Sequence, residues 1–304
     1  MTLSPVVSSL HFYPVKSCGG IEMPHLYVGA RGFISGKIGD RSWMVVNAKG
    51  SLISQREKPA LARVKTTLLL DRDGIADRIC LAVDDREPII LDPALVGDER
   101  QAVIIHGKES VAHKAPREVS AWFSDFLGDA VTVVHQKESD LRLCDPNFSV
   151  DPEGDAVSFG DGFPYLVTAS ATLEKLNGAL ESPVPMSRFR PNIVIGNTQP
   201  EAEYTWKNIA IGSVTLAFVK PCTRCVVTTV DQDTGVKTGK QPLATLAATN
   251  FLAQDFGGTR VQGAVFGENA IPITEGEISV GDSVSVIETK PGYEFGRKTP
   301  SRAS

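Results

Sequence analysis

Between Arg41 and Asp92 the chain repeatedly opens a short apolar run and closes it at Asp, Gly or Pro, and that punctuation limits it to sheets of short strands. "RSWMVVNAKGSLISQ" sets two apolar runs around Asn47-Ala48-Lys49-Gly50, a hairpin signal. "TTLLLD", "RICLAVD" and "PIILD" follow as strands separated by turn residues.

The period then changes. In "REVSAWFSDFLGD", Val119, Trp122, Phe123, Phe126 and Leu127 recur at helical spacing, a core-facing stripe with Gly128 as its stop. "AVTVVHQ" reads as a strand, and residues 145–164 as a long polar, Gly/Pro-rich connection, functional or mobile. "SATLEKLNGAL" predicts a short helix with Ser170 as N-cap. "RPNIVIG", "NIAIGSVTLAFVK" and "RCVVTTV" predict strands. "QPLATLAATNFL" predicts a helix with Pro242 in its first turn. "EISVGDSVSVIE" predicts a last strand pair around Gly281-Asp282, and the basic tail from Thr289 carries no structural signal. The fold class is β-rich α+β, with its best cut near residues 115–130. The division expected is 1–120, 121–290 and a polar tail, 291–304.

With 304 residues there is room for one large or two ordinary domains. A formal charge of −5 argues against a nucleic-acid partner. No apolar run approaches the ~20 residues of a membrane span, and "MTLSPVVSSLHFYPVK" has neither the basic nor the apolar region of a signal peptide. Five cysteines at irregular spacing make no disulfide framework, so reduced thiols in a cytoplasmic protein are expected.

Two of those cysteines, Cys222 and Cys225, stand in "VKPCTRCVVTTVDQDTG". A redox dithiol wants its first cysteine at a helix N-terminus, and the β-branched run after Cys225 is a poor helix start. A structural zinc site needs four ligands in close pairs, whereas Cys18, Cys80 and Cys144 are scattered and the histidines form no second pair. "DQDTG" also fails as a calcium loop, with Gly235 one position early and Pro242 where the bidentate Glu belongs. Two readings stay open on the residues alone: a single thiolate ligand beside Arg224, or a small buried apolar side chain.

"RFRPNIVIG", "WKNIAIG" and "PCTRCVVTTVDQDTG" together resemble the MOSC domain, named for the C-terminal part of molybdenum cofactor sulfurase. Upstream, "FYPVKSCGGIE", "GDRSWMVV" and "ISQRE" resemble the β-barrel domain that precedes MOSC in one branch of that family. That branch holds the mitochondrial amidoxime-reducing component and bacterial reductases of N-hydroxylated compounds. The likeness runs from about residue 8 to residue 288 in several ordered motifs. It implies an N-terminal β-barrel-like domain followed by a MOSC β-barrel with flanking helices.

The resemblance also implies a pyranopterin molybdenum cofactor with a protein cysteine on the metal. By position that ligand is Cys225, and Cys222 is a bystander. Lys16 and Ser17, Arg41, Arg190 and Asn192, and Thr223 and Arg224 match the family's cofactor contacts, and Asp161 and Asn269 match more loosely. Each has a plainer alternative: a solvated arginine, a turn asparagine, a surface lysine. Four basic residues in four motifs of an acidic chain nevertheless suit one buried anion. Arg56 and Arg188 either add to that field or sit outside it. Drawn from both halves of the chain, such contacts predict a cofactor in the cleft between the domains.

The implied activity is reduction of small N-hydroxylated compounds (hydroxylamines, amidoximes, N-hydroxylated bases), with Asp231 or Asp233 as proton donor or, more simply, turn residues. No cysteine follows Cys225, so the iron–sulfur domain of some bacterial relatives has no counterpart, and a separate flavin reductase or ferredoxin must supply electrons. Asn269 stands where the mitochondrial forms carry an aromatic residue. A soluble cytoplasmic monomer is the expectation. The rivals are a non-catalytic module that carries the cofactor and a thiol redox protein.

Overall fold

The turn-punctuated runs fold as strands, and the order in which they pair decides where the site lies. The computed structural model describes residues 4–84 and 86–296. It is a strand-rich α+β protein with three α-helices among the described residues. The largest sheet has nine strands, in the order Ile21–Met23, Val6–Phe12, Ile193–Gly196, Tyr165–Ala169, Thr259–Pro272, Val214–Thr223, Trp206–Ile211 and Val284–Thr289, with Phe251–Phe256 also on Thr259–Pro272. Its first strand is thus inserted beside a strand nearly two hundred residues later, with Leu10 opposite Ile193. Alternating burial along it sends Leu10 and Phe12 into the core.

The remaining early strands form three smaller sheets. One runs Arg100–Ile105, Lys108–Lys114, Val131–His135, Trp43–Asn47, and another is Lys65–Leu70, Ala76–Ala82, Ile89–Leu91. The third, His25–Gly29, Gly32–Ser35 and Ile38–Gly39, takes Gly276–Ser279 from the far end of the chain. Helix Arg117–Leu127 buries Val119, Phe123 and Leu127 as the stripe predicts, and Gly128 ends it in the left-handed region at φ 68°. That helix and strand Val131–His135 stay with the first half, the strand pairing Trp43–Asn47. The Asn47–Gly50 turn closes as expected, with Gly50 N donating to Asn47 O.

Four local expectations are corrected. The strand through "KPCTRCVVTTV" ends at Thr223, and Val226–Thr229 is a 3-10 turn. Thr228 and Thr229 hydroxyls donate to Cys225 O and Val226 O, a local alternative to ladder bonds that lets these residues leave the sheet. Gly276–Ser279 and Val284–Thr289 do not pair with each other but join different sheets. The tail is ordered as far as Gly296: Tyr293 and Phe295 pack on Tyr204, and Gly296 bridges Phe251. The rest of the expected polar tail lies outside the described residues. Pro242 is the N-cap of helix Leu243–Thr249 rather than its first helical residue. Among the described residues no helix is long and apolar enough to cross a membrane.

Ser170 is a fifth correction. Helix Ser170–Asn177 has Ala169 at the N-cap, and no side chain of its own caps it. Glu203, fully buried, does so from outside: Oε1 accepts Ala169 N at 3.2 Å and Oε2 accepts the Thr172 hydroxyl at 2.7 Å. Burial pushes the Glu203 carboxyl up to about 7, and Glu268, also fully buried, likewise. Between about pH 4.5 and 7 the folded chain therefore keeps protons that the unfolded chain has lost, and stability falls as pH rises through that window. Glu203→Gln, which holds its own hydrogens, is expected to remove a substantial part of that slope. Urea midpoints at about pH 5 and about pH 7.5 measure it. An unchanged slope would mean Glu203 ionises no differently in the two states.

Candidate active site

The segment Tyr13–Gly20 leaves the large sheet and crosses to the first-half strands, and this crossing creates the cleft. Lys16 N donates to Trp43 O at 2.8 Å and Gly19 N to Val64 O at 2.9 Å, so Lys16 and Ser17 are fixed where the two halves meet. Lys16 is only 6% exposed and Asn192 1%, which rules out the plain surface and turn alternatives for both.

Four backbone positions around the cleft are strained. Ser17, Arg41, His106 and Arg190 have φ of 72°, 49°, 50° and 53°, four of the seven non-glycine residues at positive φ among those described, and all four line the cleft. Such conformations cost of order 1–3 kcal/mol each and persist where the surroundings over-determine them.

Tyr13 is the platform. Its buried ring lies 4.7 Å from the Arg41 guanidinium and 4.5 Å from that of Arg190. Asp40, itself buried, accepts Tyr13 N at 2.7 Å and pairs with Arg41, which also donates to Asn192 Oδ1 at 3.1 Å and Arg190 O at 3.3 Å. Arg190 donates to Gln232 Oε1 at 3.1 Å, yet its buried Nη2 has no partner among the described residues. Arg224 donates to Phe189 O at 2.7 Å and to Cys222 Sγ at 2.9 Å, and its buried Nε is likewise unpartnered. Desolvation pushes the Cys222 thiol up against the pull of Arg224. Cys225 begins the 3-10 turn, partly exposed, with the Arg56 guanidinium beside its sulfur.

On the opposite wall Asp161 Oδ1 accepts from Lys16 Nζ at 2.5 Å and from His106 Nε2 at 2.9 Å. Lys16 holds that carboxyl well below the usual range. The connection carrying Asp161 is pinned by Arg142, which donates to Ser158 O, Gly160 O and Asp161 O.

Comparison with known proteins agrees with this architecture. The MOSC N-terminal beta barrel domain matches residues 4–130 and the MOSC domain residues 154–285. Mitochondrial amidoxime-reducing component 1 of Homo sapiens is 31% identical over 285 residues, covering 92% of this chain and 82% of the relative. The Mus musculus protein of the same name is 32% identical over 283 residues, with the same coverage. The chain belongs to the MOSC-domain family. Mitochondrial amidoxime reducing component 2 of Bos taurus is 32% identical over 243 residues, 79% of this MOSC protein and 70% of that one.

All ten residues singled out in the sequence line this MOSC protein's cleft: Lys16, Ser17, Arg41, Asp161, Arg190, Asn192, Thr223, Arg224, Cys225 and Asn269. Asn192 commits its amide internally, to Arg41, Leu166 N and His11 O, so it braces the wall. Arg56 joins the lining, whereas Arg188 turns away to pair with Asp231. Asp231 is a turn residue: Oδ1 accepts Thr234 N and Asp233 N, and neither it nor the exposed Asp233 lines the cleft.

Sequence reasoning missed Tyr13, Asp40, His106 and the amide pair Gln55–Gln232. Each amide of that pair donates to the other, at 3.0 and 2.9 Å, and Gln55 also donates to Ser17 O at 2.7 Å. The only sequence signal for any of them is His106-Gly107 at a hairpin tip, a position that prefers Asn-Gly.

Gly20 reveals how tightly the platform is held. A Cβ there would stand 2.3 Å from Tyr13 Cε1, so no side chain fits without moving the ring. Gly20→Ala is expected to destabilise the fold by about 1–3 kcal/mol through overpacking, and to disturb both guanidiniums with it. Thermal unfolding measures the first effect, and an unchanged Tm would show that the ring yields freely.

Proposed function

We propose that this chain is a molybdenum-cofactor-dependent reductase of N-hydroxylated compounds (hydroxylamines, amidoximes and N-hydroxylated bases), a cytoplasmic monomer fed by a separate flavin reductase or ferredoxin. One observation carries the proposal. Lys16, Arg41, Arg56, Arg190 and Arg224 converge with two partly exposed cysteines, Cys222 and Cys225, on a single cleft, against one lining carboxylate, Asp161, in a chain whose formal charge is −5.

The residues fit the cofactor. A buried donor without a partner costs about 1–3 kcal/mol, and Arg190 Nη2 and Arg224 Nε are two such donors. An anionic ligand rich in acceptors satisfies both. Arg190, Arg224, Arg41 and Lys16 would hold its phosphate and pterin, with Ser17, Thr223, Asp161 and Asn269 as smaller polar contacts. Cys225 would bind the metal as thiolate, since a coordinated thiol is deprotonated outright. When bound, the cofactor supplies two-electron removal of oxygen from an N–OH group. The protein's own work is to orient that group, keep its charge compensated in a recessed cleft and provide protons. The names of the amidoxime-reducing relatives support the substrate class.

Purification from a cofactor-competent host, with molybdenum and pterin quantification, followed by reduction of an amidoxime and a hydroxylamine with a chemical electron donor, tests this. Stoichiometric molybdenum with turnover is the expected result. Molybdenum without turnover would favour the carrier module, and protein without molybdenum would overturn the proposal.

A further inference from the structure

His106 is a titratable group on the cleft wall with no role in cofactor binding. It fills the first tip position of the hairpin joining Arg100–Ile105 to Lys108–Lys114, at φ 50°, with Gly107 next at φ 81°. Two successive positive φ values between paired Ile105 and Lys108 match a primed two-residue turn, which Asn-Gly adopts readily and a bulkier side chain does not. The strained residue sits where its ring reaches another segment. His106 Nε2 lies 2.9 Å from Asp161 Oδ1, and its side chain is 29% exposed.

The same Asp161 oxygen accepts Lys16 Nζ at 2.5 Å, and the Lys16 side chain is only 7% exposed. One carboxylate oxygen, on a side chain 75% exposed to the open cleft, therefore joins a solvent-touching imidazole to a recessed ammonium, across three segments distant in sequence. Other charges face this chain. Arg142 donates to Asp161 O, Arg41 and Arg56 act on the Asp161 charge from the cleft, and Lys108 stands on His106's own hairpin.

Resting on the reductase reading, we propose that His106, Asp161 and Lys16 form a proton path from solvent into the cleft. The reaction R–NH–OH + 2e⁻ + 2H⁺ → R–NH₂ + H₂O breaks the N–O bond, and its electrons come from a separate redox carrier. Its protons need an acid that can let go. The lining arginines cannot, since a guanidinium stays protonated at any working pH. Tyr165 donates its hydroxyl to Gly29 O and is held protonated by burial. Lys16 can: burial lowers its pKa against the pull of Asp161. The ammonium gives its proton to the departing oxygen or to nitrogen, Asp161 passes one on from the imidazolium, and the imidazole recovers its own from water. An imidazole is the side chain suited to that exchange near neutral pH.

His106→Asn is the decisive variant, because the turn favours Asn and the fold should keep its Tm. Turnover with a chemical donor is expected to fall by about 10²-fold, with molybdenum and pterin content unchanged. Added imidazole should restore much of the rate of His106→Gly. Without reference to turnover, the NMR signals of the His106 ring in the full chain should shift in Asp161→Asn, which removes the carboxylate 2.9 Å from Nε2. Wild-type rate and pH profile in His106→Asn, or His106 ring signals unmoved in Asp161→Asn, overturns the path. A wild-type protein that holds molybdenum yet never turns over sinks the reductase reading instead, and the ring signals then still decide whether the His106–Asp161 link exists.

Discussion

Cys225→Ala is expected to abolish reduction of N-hydroxylated substrates, whereas Cys222→Ala is expected to keep most of it. The two thiols, three residues apart in numbering, differ in what surrounds them. Cys222 Sγ accepts a 2.9 Å bond from Arg224, and desolvation keeps its thiol protonated, the form that does not bind a metal. Losing it removes one of several ties on Arg224, which stays anchored by Phe189 O and, through its backbone, by Ala264 O. Cys225 sits past the end of the strand with Arg56 beside it. Steady-state assays on both variants, normalised to molybdenum content, provide the check. A Cys222 variant that is equally inactive with molybdenum still bound would reverse the assignment.

Arg190→Ala is expected to lose the cofactor. Truncating one partner of a buried charge pair costs about 2–5 kcal/mol, which is roughly 30- to 4,000-fold in retention. Arg190 also stores strain, at φ 53° in a residue with a Cβ. Arg190→Gly removes the charge and that strain together, so it should lose cofactor as Ala does while folding more stably by about 1 kcal/mol. The pair of variants separates the binding role of the guanidinium from the backbone's contribution. Pterin fluorescence after denaturation reads occupancy. Full occupancy in both variants would remove Arg190 from the anchoring set.

The sequence carried the site further than it carried the topology. The cleft residues were legible because each lies in a short motif, and all ten share one cavity. Helix Arg117–Leu127 was legible from its period and its glycine stop. What failed was information held elsewhere in the chain. Ser170 looked like a cap because nothing local shows that Glu203 arrives from more than thirty residues on. "CVVTTV" looked like a strand because propensity does not register threonine hydroxyls closing on carbonyls three residues back. Gly276–Ser279 and Val284–Thr289 looked like partners, although each finds its ladder across the molecule. Gln55 and Gln232 carry no pattern at all, since an amide pair 177 residues apart exists only once the halves meet.

The central claim is that the sulfur of Cys225 is bound to molybdenum. Molybdenum-edge X-ray absorption on the cofactor-loaded wild type, Cys225→Ser and Cys222→Ser tests it most directly. Loss of a single sulfur neighbour in Cys225→Ser, with the Cys222→Ser spectrum like wild type, is the predicted result. The same sulfur count in Cys225→Ser as in wild type would contradict it.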